Sequence, residues 1–370
     1  MLIHRLQIDG FRNYRREDLR FDENFNLICG ANAQGKSNLL EAICYLGIAS
    51  SFRMAGESDL INSEQSYFYL EGEMTGKDGP FAISAAANRA KKRKWKIDGE
   101  PCTRLADVIG LFHIVIFAPE DIWLTRSGPE WRRRYLNRQL AQNDRAYCRD
   151  QLRYSRILRQ RNALLKQGEA VDAAALAVWD DQLVETGARL TLARYTAVQR
   201  LLPLARELHA QLTGGEVLGI RYLSPVLRGG EPAALPQVEE QFRAELQRTR
   251  RAELIQGMTL IGPHRDDLAL SIDGQAARDF ASQGQQRTLA LSLKLAELEL
   301  AREYCGEYPV LLLDDVLSEL DEQRRRALLN LTADKTQTFL TAVAAELPER
   351  GGATWLVEKG TVRQPAGHKK

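Results

Sequence analysis

The stretch Gly30-Ala31-Asn32-Ala33-Gln34-Gly35-Lys36-Ser37 decides the fold. It fits the G-x-x-x-x-G-K-[ST] phosphate-binding pattern at every fixed position. Phe25-Asn26-Leu27-Ile28-Cys29 before it reads as a short buried strand. Asn38-Leu39-Leu40-Glu41-Ala42-Ile43 after it reads as a helix, with Leu39, Ile43 and Leu46 at helical spacing. Each residue type has a reason. Gly30 and Gly35 permit a backbone that curls with its N–H groups inward, towards anionic oxygens. The helix N-terminus adds partial positive charge at the same point. Lys36 can reach terminal phosphates, and the Ser37 hydroxyl can ligate Mg²⁺. The bare pattern arises by chance in on the order of 1% of chains this long, and the strand–loop–helix setting lowers that further. A nucleoside triphosphate site follows, formed by Gly30, Ala31, Asn32, Ala33, Gln34, Gly35, Lys36, Ser37 and Asn38.

The chain has 370 residues, enough for a large core and more than one lobe. Hydrophobic content of 44% and charged content of 27% are ordinary for a globular protein. The formal charge of +2 is near neutral, so contact with nucleic acid must come from local patches. No apolar run is long enough to span a bilayer, and the first residues lack a signal-peptide core. The five cysteines are widely spaced and form no C-x-x-C pair, which argues against zinc and for a reducing, cytoplasmic setting.

Leu2 to Ile8, a segment from Phe11 to Phe21, and Asn24 to Cys29 read as strands. Further strands are expected at Tyr67-Phe68-Tyr69-Leu70 and Phe81-Ala82-Ile83. Lys91 to Glu100 reads as a strand entering an Asp98-Gly99 turn. Residues 1–140 form the first part of the expected head. From 141 to 213 Gly and Pro become scarce. Leu183, Leu190, Ala197 and Leu201 mark a long helix that packs on the one containing Leu152, Ile157 and Leu158. This insertion is either a plain helical subdomain or a short antiparallel arm, with a turn at Gly168 and a bend or break at Pro203. Residues 214–360 return to α/β character. Strands are expected at Ile220 to Leu223, Met258 to Ile261, Leu268 to Ile272 and Thr338 to Thr341, with Gly229 to Pro232 a loop. Helices are expected over 236–254, 285–304 and 319–332. Residues 361–370 read as a loose tail.

Val310-Leu311-Leu312-Leu313-Asp314-Asp315 is the second nucleotide element. A continuously apolar strand belongs in a covered sheet, and it delivers Asp314 to hold Mg²⁺ and Asp315 to orient the attacking water or accept its proton. Alone, this could be an ordinary strand end; beside Gly30 to Ser37 it is more. Ser282-Gln283-Gly284-Gln285-Gln286-Arg287 places a hydroxyl, a glycine and amides at a helix N-terminus, which suits a phosphate; taken by itself, a plain helix cap by Ser282 with Gln286 is the favoured reading.

Together with Phe11-Arg12-Asn13-Tyr14, Gly262-Pro263-His264-Arg265-Asp266-Asp267-Leu268 and Ser318-Glu319-Leu320-Asp321, these segments resemble the RecF family of bacterial recombination-repair ATPases, in order from residue 2 to about 345. The resemblance implies an α/β P-loop head of the SMC-like ABC type, with a β-rich lobe and an inserted helical subdomain. It implies that Ser282, Gly284 and Gln285 are the ABC signature, contacting the γ-phosphate held by a second subunit, with Asp321 at the same interface. It places Arg12 and Arg53 near the phosphates in cis and Thr341 at the switch position. Glu120 and Asp121 fall where related ATPases carry a glutamine that contacts Mg²⁺. Asn137 stands in place of an aspartate.

What the resemblance implies for activity is an ATP- and Mg²⁺-dependent homodimer that binds DNA: duplex, gapped, or a single-strand/double-strand junction. It would assist RecO and RecR in loading RecA and influence the SOS response. Candidate DNA contacts are Lys91, Lys92, Arg93, Lys94 and Lys96, with Trp95 as a stacking ring, and Arg132 and Arg133 with Arg134, Arg138 and Arg145 near the base of the insertion. A charge run is more often just a solvated face. The competing classes are an ABC transport ATPase serving a membrane partner and a metabolic kinase. The strands before the P-loop and the Ser-Gln-Gly-Gln segment argue against the first. The absence of any recognisable acceptor site argues against the second.

Overall fold

The computed structural model describes residues 1–90, 92–227, 232, 234–333, 335–343 and 351–365, without the side chains of Glu169 and Glu319. Lys91, residues 229–231 of the expected loop and the end of the tail lie outside these.

The chain divides into two compact units, residues 1–122 with 290–370 and residues 123–289. The expected divisions at 140, 213 and 360 are not those of the structure. The strand Leu218–Leu223 and the helix Leu235–Gln256 pack with the long helix Ala173–Thr213, so the insertion extends well past its helices.

The first unit holds two six-stranded sheets. One is antiparallel, in the order Tyr14–Arg20, Leu2–Phe11, Tyr67–Gly76, Gly79–Asn88, Arg93–Ile97, Glu100–Cys102. Asp98 and Gly99, at φ 51° and 83°, form the tight turn between its last two strands. The other is parallel over Ala353–Glu358, Phe25–Cys29, Thr338–Ala342, Val310–Leu313 and Ile114–Phe117. These strands are apolar on both faces because both faces are covered; Val310, Leu311, Leu312 and Leu313 are all fully buried. The antiparallel hairpin Ala353–Glu358/Thr361–Arg363 closes its edge. Part of the expected loose tail is therefore a strand, held by the pairing of Val357 with Val362.

The second unit is helical around a three-stranded sheet. The helices Arg145–Leu165 and Ala173–Thr213 join through a short turn in which Gly168 takes φ 61°. Pro203 does not interrupt the longer helix, whose buried face continues through Leu201 and Ala205. Met258–Ile261 is not a strand. Side chains take its backbone instead: Asn162 Oδ1 accepts from Thr259 N–H and Glu253 Oε1 from Leu260 N–H, both at 2.8 Å.

A buried polar network explains the Gly262–Asp267 segment. Arg194 donates to Asp266 Oδ2 at 2.9 Å, Asn137 Oδ1 at 2.8 Å and Tyr147 Oη at 3.0 Å, while Tyr222 O–H also donates to Asp266. Arg161 donates to Asp180, Glu253 and Thr259 at 2.7–2.8 Å. Each buried charge thus has direct partners, without which it would cost several kcal/mol. His264 Nε2–H donates to the Thr259 carbonyl at 3.0 Å, so Nδ1 accepts from Tyr154 O–H at 2.8 Å.

That arrangement makes a pH dependence. Burial lowers the His264 pKa to about 4, helped by Arg265, Arg133 and Arg161 and opposed by the bond to Thr259. The unfolded imidazole titrates near 6.5, so between these values the unfolded chain binds more protons and stability falls as pH falls. Urea unfolding of the full chain at pH 7.5 and 5 should show about 2 kcal/mol more loss in the wild type than in His264→Gln. Parallel pH profiles for the two proteins would refute the assignment.

Candidate nucleotide site

The P-loop joins the strand Phe25–Cys29 to the helix Lys36–Ile48. Its curl needs positive φ at Gly30 (154°), Ala33 (64°) and Gly35 (122°). A Cβ on Gly35 would lie 2.5 Å from the Asn13 amide, so no larger residue fits there. Two of its carbonyls, those of Gln34 and Gly35, are tied by groups outside the loop. Asn13 Nδ2 donates to Gln34 O at 2.8 Å, Tyr14 Oη to Gly35 O at 2.9 Å, and Gly360 N–H to Gln34 O at 3.1 Å. Lys359 N–H donates to Gln34 Oε1 at 2.7 Å. Lys36 Nζ donates to Gly30 O at 2.6 Å and Ala31 O at 3.0 Å, leaving one of its three donors for a phosphate.

Asp314 sits at the end of the strand Val310–Leu313 and is buried. Its Oδ1 accepts from Ser37 Oγ at 2.8 Å and Thr341 Oγ1 at 3.1 Å. Burial raises its pKa; the two hydroxyls and Arg53 oppose the rise, and Asp315 adds to it. Thr341 Oγ1 also accepts the Asp315 N–H at 2.7 Å. Asp315 takes φ 51°, a left-handed conformation that Asp tolerates better than most residues. Ser318 Oγ holds it, donating to its carbonyl at 2.7 Å and its carboxylate at 3.2 Å.

Arg12 makes a bidentate pair with Glu41, at 2.7 and 2.9 Å, and donates to Asp59 O. Its guanidinium neutralises a fully buried carboxylate on the P-loop helix. Arg53 is exposed and donates to Asn38 Oδ1 at 3.2 Å; its charge also acts on Asp314 and Glu120. Asn38 in turn donates to Asn13 Oδ1 at 2.8 Å. Glu120 keeps a buried Oε2 without a hydrogen-bond partner, and burial raises its pKa. Asp121 instead accepts the Ala118 N–H at 2.9 Å. Asp321 caps the helix Glu322–Thr332 and pairs with Arg324 at 2.6 Å. A cavity of about 760 Å³ adjoins the P-loop flank, lined by Asn13, Asn38, Asn62, Lys359 and Thr361 among others.

Ser282 and Gln285 form a reciprocal capping box: Ser282 N–H donates to Gln285 Oε1 at 2.9 Å and Gln285 N–H to Ser282 Oγ at 3.2 Å. Ser282 remains exposed, and Gly284 lies in the first turn. These residues belong to the second unit, apart from the P-loop's own.

The structure redistributes the expected DNA contacts. Arg132 is only 6% exposed and makes a bidentate pair with Asp267 at 2.6 and 2.9 Å. Arg133 donates to Asp266 O at 2.8 Å. Both clamp the Gly262–Asp267 segment internally. Trp95 is no exposed stacking ring; it is buried flat against Tyr45, with centroids 5.5 Å apart. Arg93 pairs with Glu57, and Lys92, Lys94 and Lys96 stay exposed. Sequence reading missed the Asn13 and Tyr14 ties, Glu41 and the Lys359–Gly360 support; only the proximity of Asn13 and Tyr14 to Arg12 in a quoted motif hinted at them.

A P-loop and an acidic strand end that bonds its serine on a parallel core, with a serine-glutamine helix start elsewhere in the chain, are the parts of an SMC-like ABC ATPase head. The family described as RecF/RecN/SMC N terminal domain matches residues 2–361. The "DNA replication and repair protein RecF" of Halalkalibacterium halodurans is 42% identical over 344 residues, 92% of each chain. That of Bacillus subtilis is 37% identical over 350 residues. A solved structure of "the recombination mediator protein RecF-ATP in RecFOR pathway" is 35% identical with TM-score 0.92, covering 99% of this chain and 98% of that one. An Smc head domain from Pyrococcus furiosus, at 15% identity and TM-score 0.56, shares the fold. The chain belongs to the RecF family.

Lys36→Ala removes the loop's mobile cation. Nucleoside triphosphate affinity, read by fluorescent-nucleotide titration, should fall about 10- to 100-fold or more. Unchanged affinity in the folded variant would remove Lys36 from the site.

Proposed function

We propose that this protein is an ATP-switched DNA clamp of recombinational repair. ATP joins two copies, the joined form grips gapped or duplex DNA, and hydrolysis releases it. In that cycle it assists RecO and RecR in loading RecA and so bears on replication-fork recovery and the SOS response. The observation that carries the reading is the Ser37–Asp314–Thr341 cluster beside Lys36, in a chain aligned end to end with a structure named RecF-ATP. A transport ATPase subunit is not favoured, because the curated relatives are DNA replication and repair proteins.

The residues fit Mg²⁺: a hydroxyl and a carboxylate are hard oxygen donors, converging on one another at 2.8 Å. Among the described residues no cluster of three His, Cys, Asp or Glu side chains offers a self-sufficient cage, so Ser37 and Asp314 would share the ion with phosphate oxygens. Bound there, Mg²⁺ supplies charge neutralisation of the β- and γ-phosphates. Lys36 and the loop amides hold the phosphates, and the flanking cavity takes the base and ribose. Arg53 is the exposed cation able to turn to them; Arg12 acts on the loop through Glu41. Asp315, pinned by Ser318, orients the attacking water and accepts its proton.

Ser282, Gly284 and Gln285 complete the site of a second copy across a two-fold axis, with Asp321 at the same interface. Ser282→Arg should leave ATP affinity intact and abolish the ATP-dependent shift to dimer in sedimentation velocity. A variant that still dimerises would break the shared-site reading.

Asp315→Asn keeps size and most hydrogen bonding but removes the proton acceptor. ATP should still bind, turnover should fall about 10²- to 10⁴-fold, and the DNA off-rate should slow by linkage. Turnover, dimer fraction and off-rate are measured on one preparation, with and without DNA. Lost ATP binding would move Asp315 into the metal shell; lost turnover with an unchanged off-rate would break the link between nucleotide and DNA grip.

A further inference from the structure

The helix Arg145–Leu165 has two unlike faces. Tyr147, Cys148, Tyr154, Ile157, Arg161 and Leu165 are buried. The solvent face carries Arg145, Arg149, Arg156 and Arg159, all exposed. At about 100° per residue these four fall within about 80° of arc, and at about 1.5 Å per residue they span about 21 Å. Leu152, 46% exposed, lies in the same strip, and Arg153 stands at its edge.

Their lack of acid partners separates these arginines from the paired ones of the unit. Arg132, Arg161, Arg189, Arg194, Arg248 and Arg250 each meet a carboxylate within 3.0 Å. Among the described residues no carboxylate pairs with Arg145, Arg149, Arg156 or Arg159. The helix's single acid, Asp150, is taken by Arg189 at 2.7 and 3.0 Å. Arg153 reaches Glu185 only at 3.6 Å. Four guanidiniums held in a row, with no acid to answer them, complement a linear polyanion. Duplex DNA offers a phosphate every 3.4 Å of axis per strand, so about 21 Å faces about six on one strand.

We propose that this face is the principal DNA-backbone contact of the protein, ahead of the Lys92–Lys96 strand. The inference rests on the DNA-binding reading above. Contacts of this kind position the duplex without reading sequence, which suits a protein that must act wherever a gap occurs. The solvent position of these side chains leaves their substitution without effect on the nucleotide site.

The test uses the full chain with ATP and a gapped duplex, titrated by fluorescence anisotropy between 50 and 200 mM salt. In the variant carrying Arg145→Gln, Arg149→Gln, Arg156→Gln and Arg159→Gln, the log–log salt slope should shrink by about 3 to 4 and affinity at the lowest salt should drop about 10- to 100-fold. ATP affinity should not change. The matching arginine-to-lysine variant should restore the slope, since phosphate neutralisation needs charge and not the guanidinium plane. Where four changes disturb the helix, Arg156→Glu alone should still lower the slope by about 1. Wild-type slope and affinity in the glutamine variant, with loss instead in Lys92→Gln/Lys94→Gln/Lys96→Gln, would overturn the proposal. A wild type that binds no DNA at any salt would overturn the clamp reading itself.

Discussion

A buried carboxylate accepting two hydroxyl protons, Ser37 and Thr341 on Asp314, is the interaction on which the head depends. Ser37 and Asp314 are 277 residues apart in sequence. Only a sheet that sets the ends of its strands level can bring them together. The register does this: Ile28 lies beside Thr341, and Leu313 beside Leu340. The three strands therefore stop at one edge, and the P-loop, the acidic pair and Thr341 emerge there together, where open parallel sheets place their ligands. Burial works against the charge on Asp314, and the hydroxyls and Arg53 offset it. A metal cation held there would offset it further.

The parts of this site that were legible in the sequence are those written in local pattern. Gly30 to Ser37 carries its own spacing, and Val310 to Asp315 carries the continuous apolarity of a covered strand ending in acid. What the sequence hid is which partner takes each polar group. Met258 to Ile261 has the apolar run of a strand, yet Asn162 and Glu253 claim its amides first. Arg132 and Trp95 sit in basic runs that read as surface, yet one is bound to Asp267 and the other lies on Tyr45. A charge run gives composition, not direction; the period-2 alternation of a strand sends Trp95 inward between exposed Lys94 and Lys96. Ser282 was legible as a cap, with Gln286 as its expected partner; Gln285 makes the reciprocal bonds instead, and the hydroxyl stays at the helix start.

Arginine does two kinds of work in the helical unit, and pairing distinguishes them. Arg161 and Arg194 are buried, each satisfied by several oxygens, and serve as bolts between helices and the Gly262–Asp267 segment. Removing one such partner would strand a charge in low dielectric, so these positions are about shape. The segment's His264 belongs with them: its tautomer is fixed by a carbonyl on one side and a phenol on the other. The exposed arginines have no such duty, which leaves their charge to act outward.

The P-loop is held from several sides by the chain's own groups. Asn13 and Tyr14, from the turn and strand after the first strand of the antiparallel sheet, hold Gln34 and Gly35; Lys359 and Gly360, from the C-terminal hairpin, hold Gln34 again. Arg12 fixes the helix through Glu41, and its φ of 55° turns the chain so that the next two side chains face the loop. The ordering cost is thus met on folding and not on binding, which raises affinity without new contacts to the nucleotide. The same ties run the other way. A phosphate that draws Lys36 from Gly30 O and Ala31 O changes the balance of forces on a loop bonded directly to two sheets. The loop is thus linked to the β-rich lobe through Asn13 and to the parallel sheet through Asp314 and Thr341.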